Sequence, residues 1–274
     1  MILQDFAGLC RTLQDFAIAC RRPSARVSIW SKILNAHRIR SKSGKMENVV
    51  VSMGGSIIAP ETIDPVHVGA IAGMLKRVCE QVKVYVIVGG GRTARKYIDA
   101  ARELCADEAA LDTLGICATR LNAMLLITAI GEKAFSQVPE SVSEAAGIGR
   151  NRRRIVVMGG TTPGHSTDYV GAELASILED ARFVNATNVD YVYTRDPKKH
   201  ADAERLEELT IDRLIEINGG TAWNSAGANA VMDGPACALI KRHRIPTSVV
   251  NGSDMETLEN VILGKPFKGT KIIV

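Results

Sequence analysis

Aromatic residues are scarce, at 4% of a 274-residue chain. That scarcity excludes the stacked aromatic platforms on which proteins hold single-stranded nucleic acid. The net charge of +4 favours anionic ligands weakly and is too small for a dedicated nucleic-acid surface. No uninterrupted apolar run approaches the roughly 20 residues that span a bilayer, so no membrane partner is expected. The six cysteines, at 10, 20, 79, 105, 117 and 237, form no CxxC pair and have no histidine at ligand spacing. A disulfide frame and a zinc site are thereby excluded, and the pattern fits reduced thiols in the cytoplasm. The chain also lacks GxxxxGK[ST], and it has no GxGxxG between a strand and a helix. Neither a P-loop nor a dinucleotide fingerprint is present.

What remains is the composition of a soluble globular protein, 46% hydrophobic and 23% charged, long enough for one large or two small units. Residues 1–45 stand apart. They hold a near-duplicate, Leu3–Arg11 and Leu13–Arg21, followed by a stretch rich in Lys and Arg up to Lys45. Asp5 and Asp15, and the want of a compact apolar segment, speak against a transit or signal peptide. The stretch reads as a poorly ordered extension or the product of an upstream start codon, with Met46 as the working start.

From Glu47 the pattern is regular. The β-branched runs 49–53, 82–88, 155–158 and 247–250 read as strands. Segments with helical apolar spacing lie at 66–80, 94–105, 108–130, 168–179 and 234–243. Strands alternating with helices predict βαβ units and a mainly parallel sheet. The runs are apolar throughout, as strands buried on both faces must be. The expected fold is a three-layer αβα sandwich.

Three of these strands end in glycine clusters: Gly54-Gly55-Ser56 after Met53, Gly89-Gly90-Gly91 after Val88, and Gly159-Gly160 after Met158. Ligands of open α/β sheets bind at the carboxyl ends of strands. Glycine there lets backbone amides approach an anion, and a following helix N-terminus adds favourable partial charge. One such turn needs only a steric reason; three can converge on a polyphosphate.

Taken together, Met53–Ser56, Val88–Ile98, Gly115–Met124, Met158–Asp168 and Ala186–Lys199 resemble the archaeal-type uridylate kinases of the amino-acid kinase superfamily, over residues 47–274. The resemblance implies an amino-acid kinase fold and transfer of the ATP γ-phosphoryl group to UMP, giving UDP in pyrimidine nucleotide biosynthesis. About 46–158 would form the UMP-binding half and about 159–274 the ATP-binding half. Carried over residue by residue, Gly55, Ser56, Gly91, Arg95, Thr187, Tyr193 and Asp196 would bind ATP. Gly90, Asp112 and the run Thr161, Thr162, Pro163, Gly164, His165, Ser166 and Thr167 would bind UMP. Arg95 and Asp190 would act nearest the chemistry. Mg²⁺ would accompany ATP, held mostly by phosphate and water, with no dedicated protein metal ligands. A homohexamer is implied by the family; a nucleic-acid partner is not.

The chain departs from the family pattern at Ser52 and Ala238, where relatives commonly carry lysine, and at Tyr191, where glycine is usual. Two alternatives stay open. One is a kinase of the same fold acting on an acyl, carbamate or isopentenyl phosphate, against which the 161–167 loop argues. The other is a non-catalytic nucleotide-binding protein that kept the fold.

Overall fold

The computed structural model describes residues 46–149, 155–197, 199–222 and 231–274. The expectations for residues 1–45 lie outside the described residues. Strands β1 (Asn48–Met53), β2 (Lys83–Val88), β3 (Val156–Met158), β4 (Ala181–Thr187) and β8 (Thr247–Asn251) run parallel. With β7 (Glu208–Thr210) and β9 (Thr270–Ile273) they form one seven-stranded sheet in the order β3-β2-β1-β4-β8-β9-β7. Only the β8–β9 pairing is antiparallel. A separate hairpin pairs β5 (Val192–Tyr193) with β6 (Arg205–Leu206).

Alternation along β1 assigns the two faces. Val49, Val51 and Met53 enter one core and Val50 enters the other. The first core is closed by α2 (Pro65–Val78), α4 (Glu108–Ile130) and α9 (Met255–Ile262), which contribute Ile71, Leu75, Leu126 and Leu258. The second is closed by α6 (Thr167–Ile177), α7 (Ile211–Ile217) and α8 (Gly234–His243), through Val170, Leu174, Leu214 and Ile240. Side chains buried on both faces explain why the strand runs lack polar alternation. The observed architecture is the three-layer sandwich expected.

Local chemistry sets the helix starts. Asp64 accepts a hydrogen bond from the Val66 amide at the head of α2, and Asp107 accepts one from Ala110 at the head of α4. Each satisfies an amide that the first helical turn leaves open. Helix α4 with the turn after it, 108–133, is the one described stretch long and apolar enough by length and composition to cross a membrane. Here it lies along the sheet and buries Ala123, Leu126 and Ile130 in the first core. Asp112, Arg120 and Asn122 interrupt its apolar character.

Arg182, at the start of β4, ties three elements together. Its guanidinium pairs with Glu47 just before β1 and donates to the Val261 and Ile262 carbonyls at the end of α9. Truncation would leave a half-buried carboxylate and two carbonyls unmet. Arg182→Ala is expected to cost about 2 kcal/mol, read as a lowered urea midpoint at unchanged slope.

Candidate functional site: three glycine turns and a long helix

Strands β3, β2 and β1 are neighbours, so their glycine turns emerge side by side at one end of the sheet. Connectivity reverses between β1 and β4, which makes this the switch point where open α/β sheets leave a crevice. The turns are packed backbone against backbone. A Cβ added at Gly55 would overlap the Gly91 amide and lie 2.8 Å from the Gly89 carbonyl carbon. One added at Gly91 would lie 2.7 Å from the Gly55 carbonyl carbon. Only glycine permits this approach. Gly90 is right-handed helical (φ −77°, ψ −27°) and Gly91 has φ 59°. Such a change of hand turns successive amides into a concavity suited to an anion. The Gly54 amide donates to Ala186 of β4, which joins the first turn to the strand ending at Thr187.

The third turn is bound to α4. The Asp112 carboxylate accepts from the Gly164 amide at 2.6 Å, closing the 161–167 loop onto the helix. Further along, Thr119 Oγ1 accepts from the Gly160 amide at 2.7 Å. Asn122 Nδ2 donates to the carbonyls of Gly89 (2.9 Å) and Gly90 (3.1 Å). At the far end of the loop, the His165 ring stands 4.1 Å from that of Tyr169. Ser166 caps α6 by accepting from the Tyr169 amide and also donates to Asp233, which caps α8.

The charges around the turns are unequal. Helix α3 (Gly91–Glu103) begins in the second turn, and its first residues include Arg92, Arg95 and Lys96 but no acid. Cations at a helix N-terminus oppose the macrodipole. Such a placement suits an incoming anion. Arg92 is paired with Glu61 at 3.1 Å; Arg95 and Lys96 are exposed. On the opposite side of the sheet, Asp168 has its carboxyl desolvated although the residue as a whole is partly exposed. It accepts from Ser52 Oγ at 2.6 Å and from Asn185 Nδ2 at 3.3 Å. Burial, reinforced by the nearby Asp233, pushes its pKa up to about 7 against the two hydrogen bonds.

Among the residues expected to act, Gly55, Ser56, Gly90 and Gly91 are gathered at adjoining turns, and Asp112 is joined to the 161–167 loop. Thr187 ends β4, where its carbonyl accepts from the Gly252 amide. Asp190 is engaged elsewhere: Lys268 Nζ and Asn251 Nδ2 each donate to it at 2.8 Å, the lysine chiefly holding its carboxyl below the usual range. Tyr193 lies in the β5–β6 hairpin and Asp196 in the turn after it, outside the main sheet. Tyr191, in place of the usual glycine, carries the Arg205 guanidinium 5.3 Å above its ring. Thr119, Asn122 and Asp168 were not singled out from sequence. Their common signal is a polar side chain inside an otherwise apolar helix or strand end.

A parallel-sheet α/β protein that gathers glycine turns at its switch point, under a cationic helix start and without a P-loop, has a crevice built to suit an anionic ligand. The amino acid kinase family model matches residues 47–251, and the chain belongs to that family. It is 42% identical over 227 residues to a uridylate kinase of Methanoculleus marisnigri, covering 83% of this chain and 96% of the relative. To the uridylate kinase of Thermococcus kodakarensis it is 43% identical over 217 residues, 79% and 96% of the two chains. The crystal structure of uridylate kinase from Archaeoglobus fulgidus superposes with a TM-score of 0.73 at 42% identity, covering 82% of this chain and 99% of that one.

Proposed function

We propose that the chain is a UMP kinase, transferring the γ-phosphoryl group of ATP to UMP to give UDP and ADP. The observation that carries this reading is the interlocked contact of Gly55 with Gly89 and Gly91. Two turns so close can serve phosphates that meet head to tail. The relatives' names support the acceptor, since the chain matches nearly their whole length.

In this reading a UMP phosphate oxygen attacks Pγ, the bond from Pγ to the β,γ-bridging oxygen breaks, and ADP leaves. The attacking oxygen is already anionic, so no general base is required. The protein positions both phosphates and neutralises charge as it spreads over the equatorial oxygens. Gly55 and Ser56 hold the ATP phosphates, with Gly91 and Arg95 beside them. Gly90, Asp112 and Thr161–Thr167 hold UMP, while Thr187, Tyr193 and Asp196 line the adenosine side. Asp190, paired with Lys268, acts with Arg95 in orienting groups near the transferred phosphoryl group. A divalent ion such as Mg²⁺, bound together with ATP, would supply further charge neutralisation at the phosphates held by Gly55, Ser56 and Gly91. Tyr97 on α3, Leu104 just after it, and Leu121 and Met124 on α4 are exposed apolar side chains available to the homohexameric assembly this reading includes.

ADP release with ATP, Mg²⁺ and UMP tests the proposal, with CMP and acyl or carbamate acceptors as comparators. Fast release with UMP is the expected result. ATP binding without release with any acceptor would overturn it in favour of a nucleotide-binding protein. Arg95→Ala is expected to lower turnover about a hundredfold and leave the melting temperature nearly unchanged, because the side chain is exposed. Near-normal turnover would remove Arg95 from the mechanism.

A further inference from the structure

Asn122 sits on the sheet-facing side of α4 at 1% exposure, beside the buried Ala123 and Leu126. A polar amide buried there must find partners. It finds two, the successive carbonyls of Gly89 and Gly90. Because the peptide unit is planar and trans, a carbonyl fixed in one direction aims the next residue's N–H in the opposite one. Holding the Gly89 and Gly90 oxygens toward α4 therefore aims the Gly90 and Gly91 amides away from it. The close approach of the Gly91 amide to Gly55 agrees with that direction. One helical turn earlier lies Thr119, also buried. Its hydroxyl donates to its own helix at Ile116 (2.6 Å) and accepts from Gly160 (2.7 Å). Its methyl lies 3.5 Å from where a Cβ on Gly90 would stand. Residues three apart share one helix face. A single face thus sets both the spacing and the amide orientation of the β2 and β3 turns.

We propose that Thr119 and Asn122 are positioning residues for phosphoryl transfer, fixing the β2 turn, which faces both substrates, and the acceptor-side β3 turn against the donor turn at Gly55. The inference rests on the UMP-kinase reading. The test measures kcat and KM for ATP and UMP by ADP release in Thr119→Val, Thr119→Ser, Asn122→Asp and Asn122→Ala, with ATP affinity by calorimetry and a melting curve for each.

Thr119→Val keeps the shape and removes the hydroxyl. Its kcat is expected to fall about a hundredfold, the effect of an ångström-scale misplacement, while ATP binding changes little. Thr119→Ser is expected to restore most of the rate. Asn122→Asp, which sets a carboxylate against two carbonyls, is expected to lose as much. Folded variants with kcat near that of the wild type overturn the proposal. So does a fall in rate that tracks the loss of melting temperature equally in Thr119→Val and Thr119→Ser. If the Asn122 variants fail to fold, the Thr119 pair decides by the same criteria. A wild-type protein that releases no ADP with UMP defeats the underlying reading instead, and is told apart because it is seen before any variant is made.

Discussion

Gly55→Ala is expected to abolish UDP formation, lowering turnover about a thousandfold, whereas Gly54→Ala one residue earlier stays within about tenfold of wild type. The two glycines differ in what a methyl group would meet. At Gly54 the nearest atom is the Ala186 carbonyl oxygen at 3.3 Å, a separation that a small shift relieves. Its φ of −50° and ψ of 139° are open to any residue. At Gly55 the new carbon would lie on the amide and Cα of Gly91, which are main chain and cannot rotate aside. The turns after β1 and β2 would have to part. In-line transfer between two bound phosphates depends on that separation more steeply than folding does. Parting the two turns also costs stability, so a melting curve is measured beside the rate, and the expected result is a folded variant whose turnover falls far more than its melting temperature. Gly69→Ala is the internal control. It lies in α2 with nothing within 4 Å, and a helical alanine there should raise stability by about 0.5–1 kcal/mol. Gly55→Ala with wild-type kcat would mean that the contact of the two turns has no part in the reaction.

Much of the scaffold was legible because burial on both faces leaves a strong mark. The runs at 49–53 and 82–88 lie within one residue of β1 and β2, and the helices at 108–130 and 234–243 coincide with α4 and α8. Asp107 caps the first of these, and Gly131 at φ 71° ends it. Strand β4 escaped, although it lies beside β1 in the middle of the sheet. Its run Ala181–Thr187 carries Arg182 and Asn185, which look like loop residues until their partners are known: Glu47 for one, Asp168 and the Val231 carbonyl for the other. Helix α3 begins at Gly91, earlier than the apolar spacing from Ala94 suggests, because the glycine turn itself forms the first helical turn. The glycine turns of the site could be read directly, since glycine clusters at strand ends have few other uses. The roles proposed for Asp112 and Arg95 rest on resemblance, as a carboxylate or cation on a helix surface is ordinarily solvated. Thr119 and Asn122 act on backbone from inside the protein, and a short polar residue in a long apolar helix gives no hint of what it holds.

Asp168→Asn should remove the effect of pH on stability at one position. The Asp168 carboxyl is enclosed by Ser52 from β1, Asn185 from β4 and Asp233 at the head of α8, with no cation among these neighbours. Burial and Asp233 raise its pKa from 3.8 to about 7, so the folded protein holds this proton more tightly than the unfolded chain does. The associated stability is full below the unfolded value and is lost as pH rises to and through about 7. Asparagine mimics the protonated acid in shape and can accept from Ser52 Oγ through its amide oxygen as the carboxyl does, but it does not titrate. Between pH 5 and pH 8 the wild type should therefore lose on the order of 2–3 kcal/mol relative to the variant. Urea unfolding of both proteins at the two pH values measures the difference, and titrating groups remote from Asp168 cancel in the comparison, whereas Asp233 and Cys237 are coupled to it. The variant should gain on the wild type at pH 8 and lose that advantage at pH 5. Stability curves that run parallel across this range would show that Asp168 is ionised in the fold, and a solvent path or an unrecognised cation would then have to reach the cluster between β1, β4 and the heads of α6 and α8.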